Sequence, residues 1–277
     1  MTDAMSRFVS ADELAELALV RDGMRAEATA EVKELVACVE DVDAGGVPAR
    51  LYVPNDAPGA LLYLHGGGFA LGDLVSHDGI ARRLAARTGW AVLMPDYRRS
   101  PEHPWPAADD DSAAAGDWLV GRGFDRFVVV GDSAGAALAL GEALRSPGRY
   151  AAQVLVYPFV DPSCASYAAD LAVTDLPIAR CEMFWRLYLQ GADASADPAL
   201  GVLGGGSLAG LPPTLIQLAE DDVLTPTGRS LADRLRADGV ATEVELFPGV
   251  QHGFWRRTDN DQAEPALVGI AAFVAGR

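Results

Sequence analysis

The sequence GDSAG at residues 131–135 constrains the fold more than any other stretch of the chain. It follows an apolar run at 127–130 and precedes a helix-forming run, so it lies in a turn between a strand and a helix. Gly131 and Gly135 stand where a Cβ atom would collide with the neighbouring backbone, and the turn forces Ser133 into a strained conformation. The pattern therefore predicts a nucleophilic serine. The alternative is a glycine-rich turn whose serine only caps the helix.

Predicted strands and helices alternate along most of the chain, which is the pattern of a parallel sheet with helices on both faces. A predicted β-hairpin at 36–53 precedes them. Right-handed crossovers place every strand-to-helix loop at one edge of such a sheet, where ligands bind. The expected fold class is therefore α/β, with a mostly parallel central sheet flanked by helices. The predicted strands are 60–64, 90–94, 126–130, 153–157, 213–219 and 242–247, and the predicted helices are 77–88, 107–120, 134–145, 226–239 and 264–274.

The alternation stops between residues 158 and 210. This segment is rich in loops and contains one amphipathic stretch at 177–189. Because it follows a strand end on the ligand side, we interpret it as an inserted cap. A capping box of Ser10 and Glu13 also predicts a helix near the N-terminus, which is expected to pack on the domain and to contribute at most to a lid.

The chain is strongly acidic, with 22 basic and 39 acidic residues and a net charge of −17. Such a surface repels phosphate backbones and anionic lipid, so nucleic acids and membrane surfaces are disfavoured as partners. No signal peptide and no apolar run that could span a bilayer are evident. Cys38, Cys164 and Cys181 lack C-x-x-C spacing, which indicates reduced thiols in a cytoplasmic protein. The sequence leaves the oligomeric state open, with a homodimer as one alternative.

A serine nucleophile needs a general base, and the chain has four histidines from which to choose. His65 opens a glycine run, His77 is expected to begin a surface helix, and His103 lies in a proline-bound turn. His252 comes immediately after the last predicted strand, so its loop emerges at the same sheet edge as Ser133. Elimination and chain order both favour His252 as the base.

The acid that orients the base should lie between the serine and the histidine, beyond a strand end. Glu220, Asp221 and Asp222 all satisfy this condition. Position alone does not choose among them.

Acyl transfer also requires backbone N–H groups that stabilise the developing oxyanion. The sequence HGGGF at 65–69 supplies them, because glycines let the main chain approach a substrate closely. The expected donors are the amides of Gly67, Gly68 and Ala134. A flexible turn or a phosphate-binding loop is the alternative, but a P-loop would need Gly-Lys-Ser/Thr after the glycines, and 69–71 read Phe-Ala-Leu.

Together these motifs resemble the hormone-sensitive-lipase-like family of α/β-hydrolases, whose bacterial members are serine carboxylesterases. The resemblance runs from about residue 36 to the C-terminus. Its motifs are HGGGF at 65–69, DYRRSPEHPWPAADDD at 96–111, GDSAG at 131–135, LPPTLIQLAEDDVL at 211–224 and HGF at 252–254.

The resemblance implies an α/β-hydrolase fold with a helical cap. The core would comprise residues 36–157 and 211–277, and residues 1–35 and 158–210 would form the cap. The family's acid is the Asp of an Asp-Pro-Leu motif, whose counterpart is Asp222 in the sequence DVL. No metal or organic cofactor is implied.

Three positions depart from the family pattern. Arg99-Ser100 replaces the common Leu-Ala, Val223 replaces the proline of Asp-Pro-Leu, and Pro226 replaces the usual second aspartate. None of these changes removes a predicted catalytic group. These three substitutions are expected to affect the cap and the part of the pocket that holds the alcohol group of the ester.

The expected activity is hydrolysis of short-chain acyl esters through an acyl-enzyme. The predicted cap is short and carries several charges, which suits a small-molecule substrate better than an oil–water interface. Phe69 and Trp185 are the candidates for lining the pocket, with ordinary core packing as the alternative. Two other functions remain open: hydrolysis of another carbonyl substrate (an amide, a lactone or a small conjugated metabolite), and non-catalytic binding of a small ligand. Non-catalytic binding is disfavoured because His252 is present.

The charges of the predicted cap, which favour a small-molecule substrate, belong to Asp161, Asp170, Asp175, Arg180, Glu182 and Arg186.

Overall fold

The computed structural model describes residues 5–169, 171, 174–193 and 199–277. The strands, in chain order, are β1 (Cys38–Asp43), β2 (Pro48–Val53), β3 (Ala60–Leu64), β4 (Ala91–Pro95), β5 (Phe127–Asp132), β6 (Ala152–Val156), β7 (Thr214–Ala219) and β8 (Thr242–Phe247). The α-helices described are α1 (Ala11–Ala30), α2 (Asp78–Thr88), α3 (Ala107–Val120), α4 (Ala134–Arg145), α5 (Ile178–Leu189), α6 (Thr225–Ala237) and α7 (Ala263–Ala275). None of these helices is both long enough and apolar enough to cross a membrane.

The strands form one sheet in the order β1-β2-β4-β3-β5-β6-β7-β8. β2 pairs antiparallel with β1 and with β4, and every other neighbouring pair is parallel. The predicted hairpin and the mostly parallel sheet are therefore confirmed. Since β3, β5, β7 and β8 run parallel, their C-terminal ends meet at one edge. The loops that carry HGGGF, GDSAG, Asp222 and His252 all leave the sheet there.

Successive side chains of the buried strands alternate between two apolar layers, as the period of two requires. In β3, Leu62 and Leu64 join the layer that α3, α4, α5 and α6 cover, whereas Leu61 and Tyr63 join the layer that α2 and α7 cover. Full burial of a leucine side chain contributes about 1.5–3 kcal/mol. The two layers hold the sheet rigid, and they fix the positions of the loops at its edge.

The helix ends follow the sequence signals closely. The capping box at the start of α1 is confirmed, because the Glu13 amide donates to Ser10 Oγ at 3.2 Å and the Glu13 carboxylate accepts from the Ser10 amide at 2.8 Å. The predicted start of α6 is one residue late: the helix begins at Thr225, so Pro226 lies inside its first turn. A proline is tolerated there because the first amides of a helix have no intrahelical acceptor.

Two segments that are distant in sequence meet above the sheet edge. α1 forms ion pairs with α5, between Glu16 and Arg180 at 3.1 Å and between Glu13 and Arg186. On its other side, α1 contacts the loop after β3, because Arg21 Nε donates to the Ala70 carbonyl oxygen at 2.8 Å. Within the predicted cap, residues 170, 172, 173 and 194–198 lie outside the described part, and so does the charge assigned to Asp170.

Candidate active site

Ser133 occupies the sharp turn between β5 and α4 that the glycine pattern predicts. Its φ and ψ are 55° and −119°, in a region that non-glycine residues rarely adopt. A Cβ on Gly131 would overlap the Gly135 carbonyl oxygen, and a Cβ on Gly135 would overlap the Leu64 carbonyl oxygen. The strained serine and the need for both glycines are thus confirmed. The surrounding packing holds a residue in a conformation that would otherwise cost about 1–3 kcal/mol.

The structure brings Ser133, His252 and Asp222 together. His252 Nε2 lies 2.9 Å from Ser133 Oγ, and His252 Nδ1 lies 2.7 Å from Asp222 Oδ2. In the tautomer with the proton on Nδ1, the ring donates to the carboxylate and accepts from the hydroxyl. Asp222 is 1% exposed, and its other oxygen accepts from the Leu224 amide at 3.0 Å. The carboxylate is therefore fixed in place, and it can hold the imidazole in one orientation.

The other two acidic candidates support the loop instead. Glu220 accepts a hydrogen bond from the Gly249 amide at 3.0 Å, and the Asp221 amide donates to the Val250 carbonyl oxygen at 3.0 Å. Both contacts tie the end of β7 to the loop that carries His252. Of the three candidate carboxylates, only that of Asp222 contacts the imidazole of His252 among the described residues.

The remaining histidines do not contact Ser133. The expectation that His77 begins a surface helix is wrong, because its side chain is 1% exposed and its ring stacks on His65 at 4.7 Å. His65 stacks in turn on Tyr97 at 4.3 Å. Burial lowers the pKa of His65 to about 3 and lowers the pKa of His77 well below its ordinary value. Both rings are therefore neutral packing elements behind the glycine loop, and His103 is exposed.

The loop at 65–69 faces Ser133 with its backbone. Gly67 and Gly68 have φ values of 127° and 59°, and both line the same cavity as Ser133. Across the described residues, neither glycine amide donates a hydrogen bond. Ala134 is the first residue of α4, so its amide has no intrahelical acceptor. The amides of Gly67 and Gly68 thus lie on the cavity without an acceptor, and the Ala134 amide directly follows Ser133 in the chain. The role of these three amides as oxyanion donors stays a prediction.

Asp132 links the glycine loop to the serine turn, a role that sequence reasoning missed. Its Oδ1 accepts from the Gly66 amide at 2.8 Å and from the Tyr63 hydroxyl at 2.9 Å. Burial raises the pKa of this carboxyl group, although it keeps these donors. The only sequence signal was its place inside GDSAG, and nothing in that motif names a partner in β3.

A cavity of about 700 Å³ opens beside Ser133 and His252. Its apolar lining comes from Phe159, Leu176 and Phe184, and residues of α1 and of the segment after His252 complete the wall. Within the described part of the chain, no group of three or more potential ligand side chains could hold a metal ion.

Neither Phe69 nor Trp185 lines this cavity, contrary to the sequence-based expectation. Phe69 is fully buried and stacks on Tyr188 with ring centroids 3.7 Å apart. Trp185 stacks on Phe159 at 4.4 Å and donates from Nε1 to the Tyr167 hydroxyl at 3.1 Å. Both rings therefore lie one layer behind the wall. The positive φ of Phe69 (59°) turns the chain so that its ring points into the core.

Comparison with known proteins identifies the family. A model of the α/β-hydrolase fold matches residues 61–256, and the chain belongs to this family. The ethyl acetate hydrolase of Pseudomonas putida is 36% identical over 242 residues, covering 79% of this chain and 76% of that protein. The structure of EstE1, a thermostable carboxylesterase from a metagenomic library, is 35% identical with a TM-score of 0.87, and the match covers 97% of each chain.

The resemblance to the hormone-sensitive-lipase-like family is also confirmed. The structure of an esterase from the bacterial hormone-sensitive lipase family is 27% identical and has a TM-score of 0.87. The match covers 100% of this chain and 98% of that one. The α/β-hydrolase fold predicted from five short motifs is therefore correct.

Proposed function

We propose that this chain is a serine carboxylesterase that hydrolyses short-chain acyl esters through an acyl-enzyme. The observation that carries the proposal is the hydrogen-bonded series Ser133–His252–Asp222, with distances of 2.9 Å and 2.7 Å, at the mouth of a cavity. Nucleophile, base and orienting acid stand in the geometry that acyl transfer requires and in the chain order typical of α/β-hydrolases.

In the first half of the reaction, Ser133 Oγ attacks the ester carbonyl carbon while His252 Nε2 takes the hydroxyl proton. The carbonyl oxygen becomes an oxyanion, which accepts hydrogen bonds from the amides of Gly67, Gly68 and Ala134. Collapse of this intermediate breaks the bond to the alcohol oxygen, which leaves with the proton from His252. One preorganised oxyanion donor typically accounts for about 10²–10³ in kcat.

In the second half, water attacks the acyl carbon of the acyl-enzyme, and His252 accepts its proton. The second oxyanion collapses, Ser133 leaves with the proton, and the carboxylic acid is released. Asp222 takes no proton in either half; it holds the Nδ1–H tautomer and stabilises the imidazolium that forms twice per turnover.

The relatives support an ester substrate of small size. One of them is named for the hydrolysis of ethyl acetate, and several others are named carboxylesterases. The cap charges also favour a small substrate over an interface, with one correction. Asp161 is 8% exposed and is bonded to Ser163 and Ser166, so it does not charge the surface. Asp175, Glu182 and Arg186 are exposed.

The proposed division of the chain gives a core of residues 36–157 and 211–277 and a cap of residues 1–35 and 158–210. The ion pairs of Glu16 with Arg180 and of Glu13 with Arg186 support a cap built from both segments. We further propose a cytoplasmic location, because none of the three cysteines is in a disulfide. Sedimentation of the purified chain would distinguish a monomer from the homodimer that the sequence leaves open.

A panel of p-nitrophenyl acyl esters, anilides and lactones tests the proposed reaction. We expect turnover of acetyl and butanoyl esters, and Ser133→Ala should lower kcat by about 10³ or more. Faster turnover of anilides or lactones would assign the same residues to another carbonyl substrate. Binding without turnover of any member would make the chain a ligand-binding protein.

A further inference from the structure

Arg256 stands four residues after the proposed base, in a segment with a firmly held backbone. Phe254, Trp255 and Arg256 form a short 3₁₀ helix, and the two aromatic side chains are 1% and 0% exposed. The Arg256 amide donates to the Gly253 carbonyl oxygen at 3.3 Å. Arg83 donates to the Arg256 carbonyl oxygen at 2.7 Å. The direction in which the Arg256 side chain leaves the main chain is therefore fixed.

The Arg256 guanidinium belongs to the cavity that contains Ser133 and His252. One of its terminal nitrogens lies 3.4 Å from the point that a Cβ on Gly253 would occupy, so the side chain folds back toward the residue next to His252. The side chain is only partly exposed, and it makes no hydrogen bond or ion pair with any residue that the structure describes. Five N–H donors thus remain unused beside the reacting groups.

The other arginines around the cavity have acidic partners. Arg257 pairs with Asp259 at 3.3 Å and with Asp175 at 4.0 Å. Arg180 pairs with Glu16 at 3.1 Å. Both arginines are therefore paired, and a further exposed carboxylate, that of Glu27, also lines the cavity.

Two further carboxylates of the lining, those of Asp132 and Glu31, have partners of their own. Asp132 accepts from Tyr63 and from the Gly66 amide. Glu31 lies 3.6 Å from Lys33 and 3.8 Å from Arg83. Burial raises the pKa of Asp132, and the positive charge of Arg256 opposes this shift without an ion-pair contact. Within the described residues, Arg256 is therefore a cation of the cavity that lies near a carboxylate but forms no ion pair with one.

We propose that Arg256 binds an anionic group of the substrate, so that the preferred esters are short ones that carry a carboxylate. This inference rests on the proposed ester hydrolysis and adds the substrate class. A planar guanidinium matches a carboxylate with two parallel hydrogen bonds, and such charge-assisted bonds are stronger than neutral ones. Phe159, Leu176 and Phe184 provide the apolar lining for the hydrocarbon part of the same molecule. The overall charge of −17 makes a local cation the more necessary for such a substrate.

Two pairs of matched substrates test the proposal by alkali titration at constant pH. Ethyl hydrogen succinate and ethyl butanoate differ by a carboxylate on the acyl side. Acetoxyacetate and ethyl acetate differ by a carboxylate on the alcohol side. For at least one pair, Arg256→Gln should lower the ratio of kcat/KM for the anionic ester to kcat/KM for the neutral ester by about tenfold or more. The loss should come mainly from KM, and Arg256→Lys should restore part of the ratio.

Arg257→Gln is the control, because it removes the same charge one residue further along. It should change the ratio by less than about twofold, since Arg257 is exposed and paired. Titration of Ser133 with a phosphonate normalises each variant to its content of intact sites. An equal fall of the kcat/KM ratio in Arg257→Gln would show that the effect comes from overall charge. That result would overturn the proposal. If the enzyme turns over neutral esters but the kcat/KM ratio is unchanged in Arg256→Gln, the role of Arg256 is overturned while the proposed function stands. Absence of turnover of all four esters overturns both.

Discussion

The buried pair His65 and His77 predicts a specific loss of stability in mild acid. Both side chains are 0–1% exposed, and the Nε2 atoms of both rings lack a hydrogen-bond partner among the described residues. A proton on either ring would be buried without a counter-charge in contact. The folded chain therefore keeps both rings neutral in a pH range where the unfolded chain protonates them.

The magnitude follows from linkage. Burial lowers the pKa of His65 to about 3 in the folded state, against about 6.5 when unfolded. Because the folded pKa is depressed, the stability is fully present above about pH 6.5 and is lost progressively as the pH falls toward 3. At about pH 5, His65 alone lowers the free energy of unfolding by about 2 kcal/mol. Burial lowers the pKa of His77 as well, so protonation of the unfolded chain at His77 adds to this loss of stability.

Urea unfolding at about pH 8 and about pH 5 measures how much the free energy of unfolding falls in acid. Comparison of the parent chain with His77→Asn isolates the contribution of His77, because the contributions of the carboxylates are the same in both chains and cancel. Asparagine can still accept from Ser76 Oγ, which lies 3.0 Å from His77 Nδ1. The free energy of unfolding of the variant should fall less than that of the parent between the two pH values. His103→Asn, at an exposed position, should lose as much as the parent. An equal pH-dependent loss in His77→Asn and the parent would refute the account of the buried pair.

Three further predictions concern the reaction itself. Asp222→Asn should lower kcat by about 10⁴ and Asp221→Asn by less than about tenfold, because Asp222 contacts the imidazole. Equal losses of kcat on the same ester would contradict Asp222 as the orienting acid. Gly68→Ala should lower kcat by about 10² or more, since a Cβ there would overlap the ring of Phe184 and displace an oxyanion donor. Full activity in that variant would exclude the amide from the oxyanion site. In a series of acyl chains from two to sixteen carbons, kcat/KM should peak between acetyl and hexanoyl. An optimum at ten carbons or more, or a rise in rate above substrate solubility, would contradict the proposed preference for short acyl chains.

The secondary structure was predicted well from the sequence, for physical reasons, and the predicted serine, histidine and aspartate lie within hydrogen-bond distance of one another. Buried parallel strands give uninterrupted apolar runs, and the turn at Ser133 tolerates only glycine at two positions. The acid could be chosen only through the family resemblance, because three carboxylates followed the same strand. Distances then separated Asp222 from its neighbours.

Side-chain direction was the part that sequence could not supply. In α5, Phe184 and Trp185 are adjacent and both buried, and only the packing of the helix decides that Phe184 faces the cavity. Phe159 directly follows the end of β6, and its amide donates to the Ser133 carbonyl oxygen at 3.2 Å. That position after a strand beside the serine turn was an available signal for a pocket residue. Arg256 carried no signal, because its isolation from carboxylates is a property of the folded chain.

The nucleophilic role of Ser133 is tested most directly by mass spectrometry of the intact chain after reaction with an alkyl phosphonate ester, which phosphonylates an activated serine. The account predicts one adduct per chain, located on the peptide that contains Ser133, with loss of esterase activity in proportion to labelling. His252→Gln should slow the labelling by about 10³ or more, because the hydroxyl then has no base in contact. An adduct on another residue, or labelling of Ser133 with full activity retained, would contradict the account.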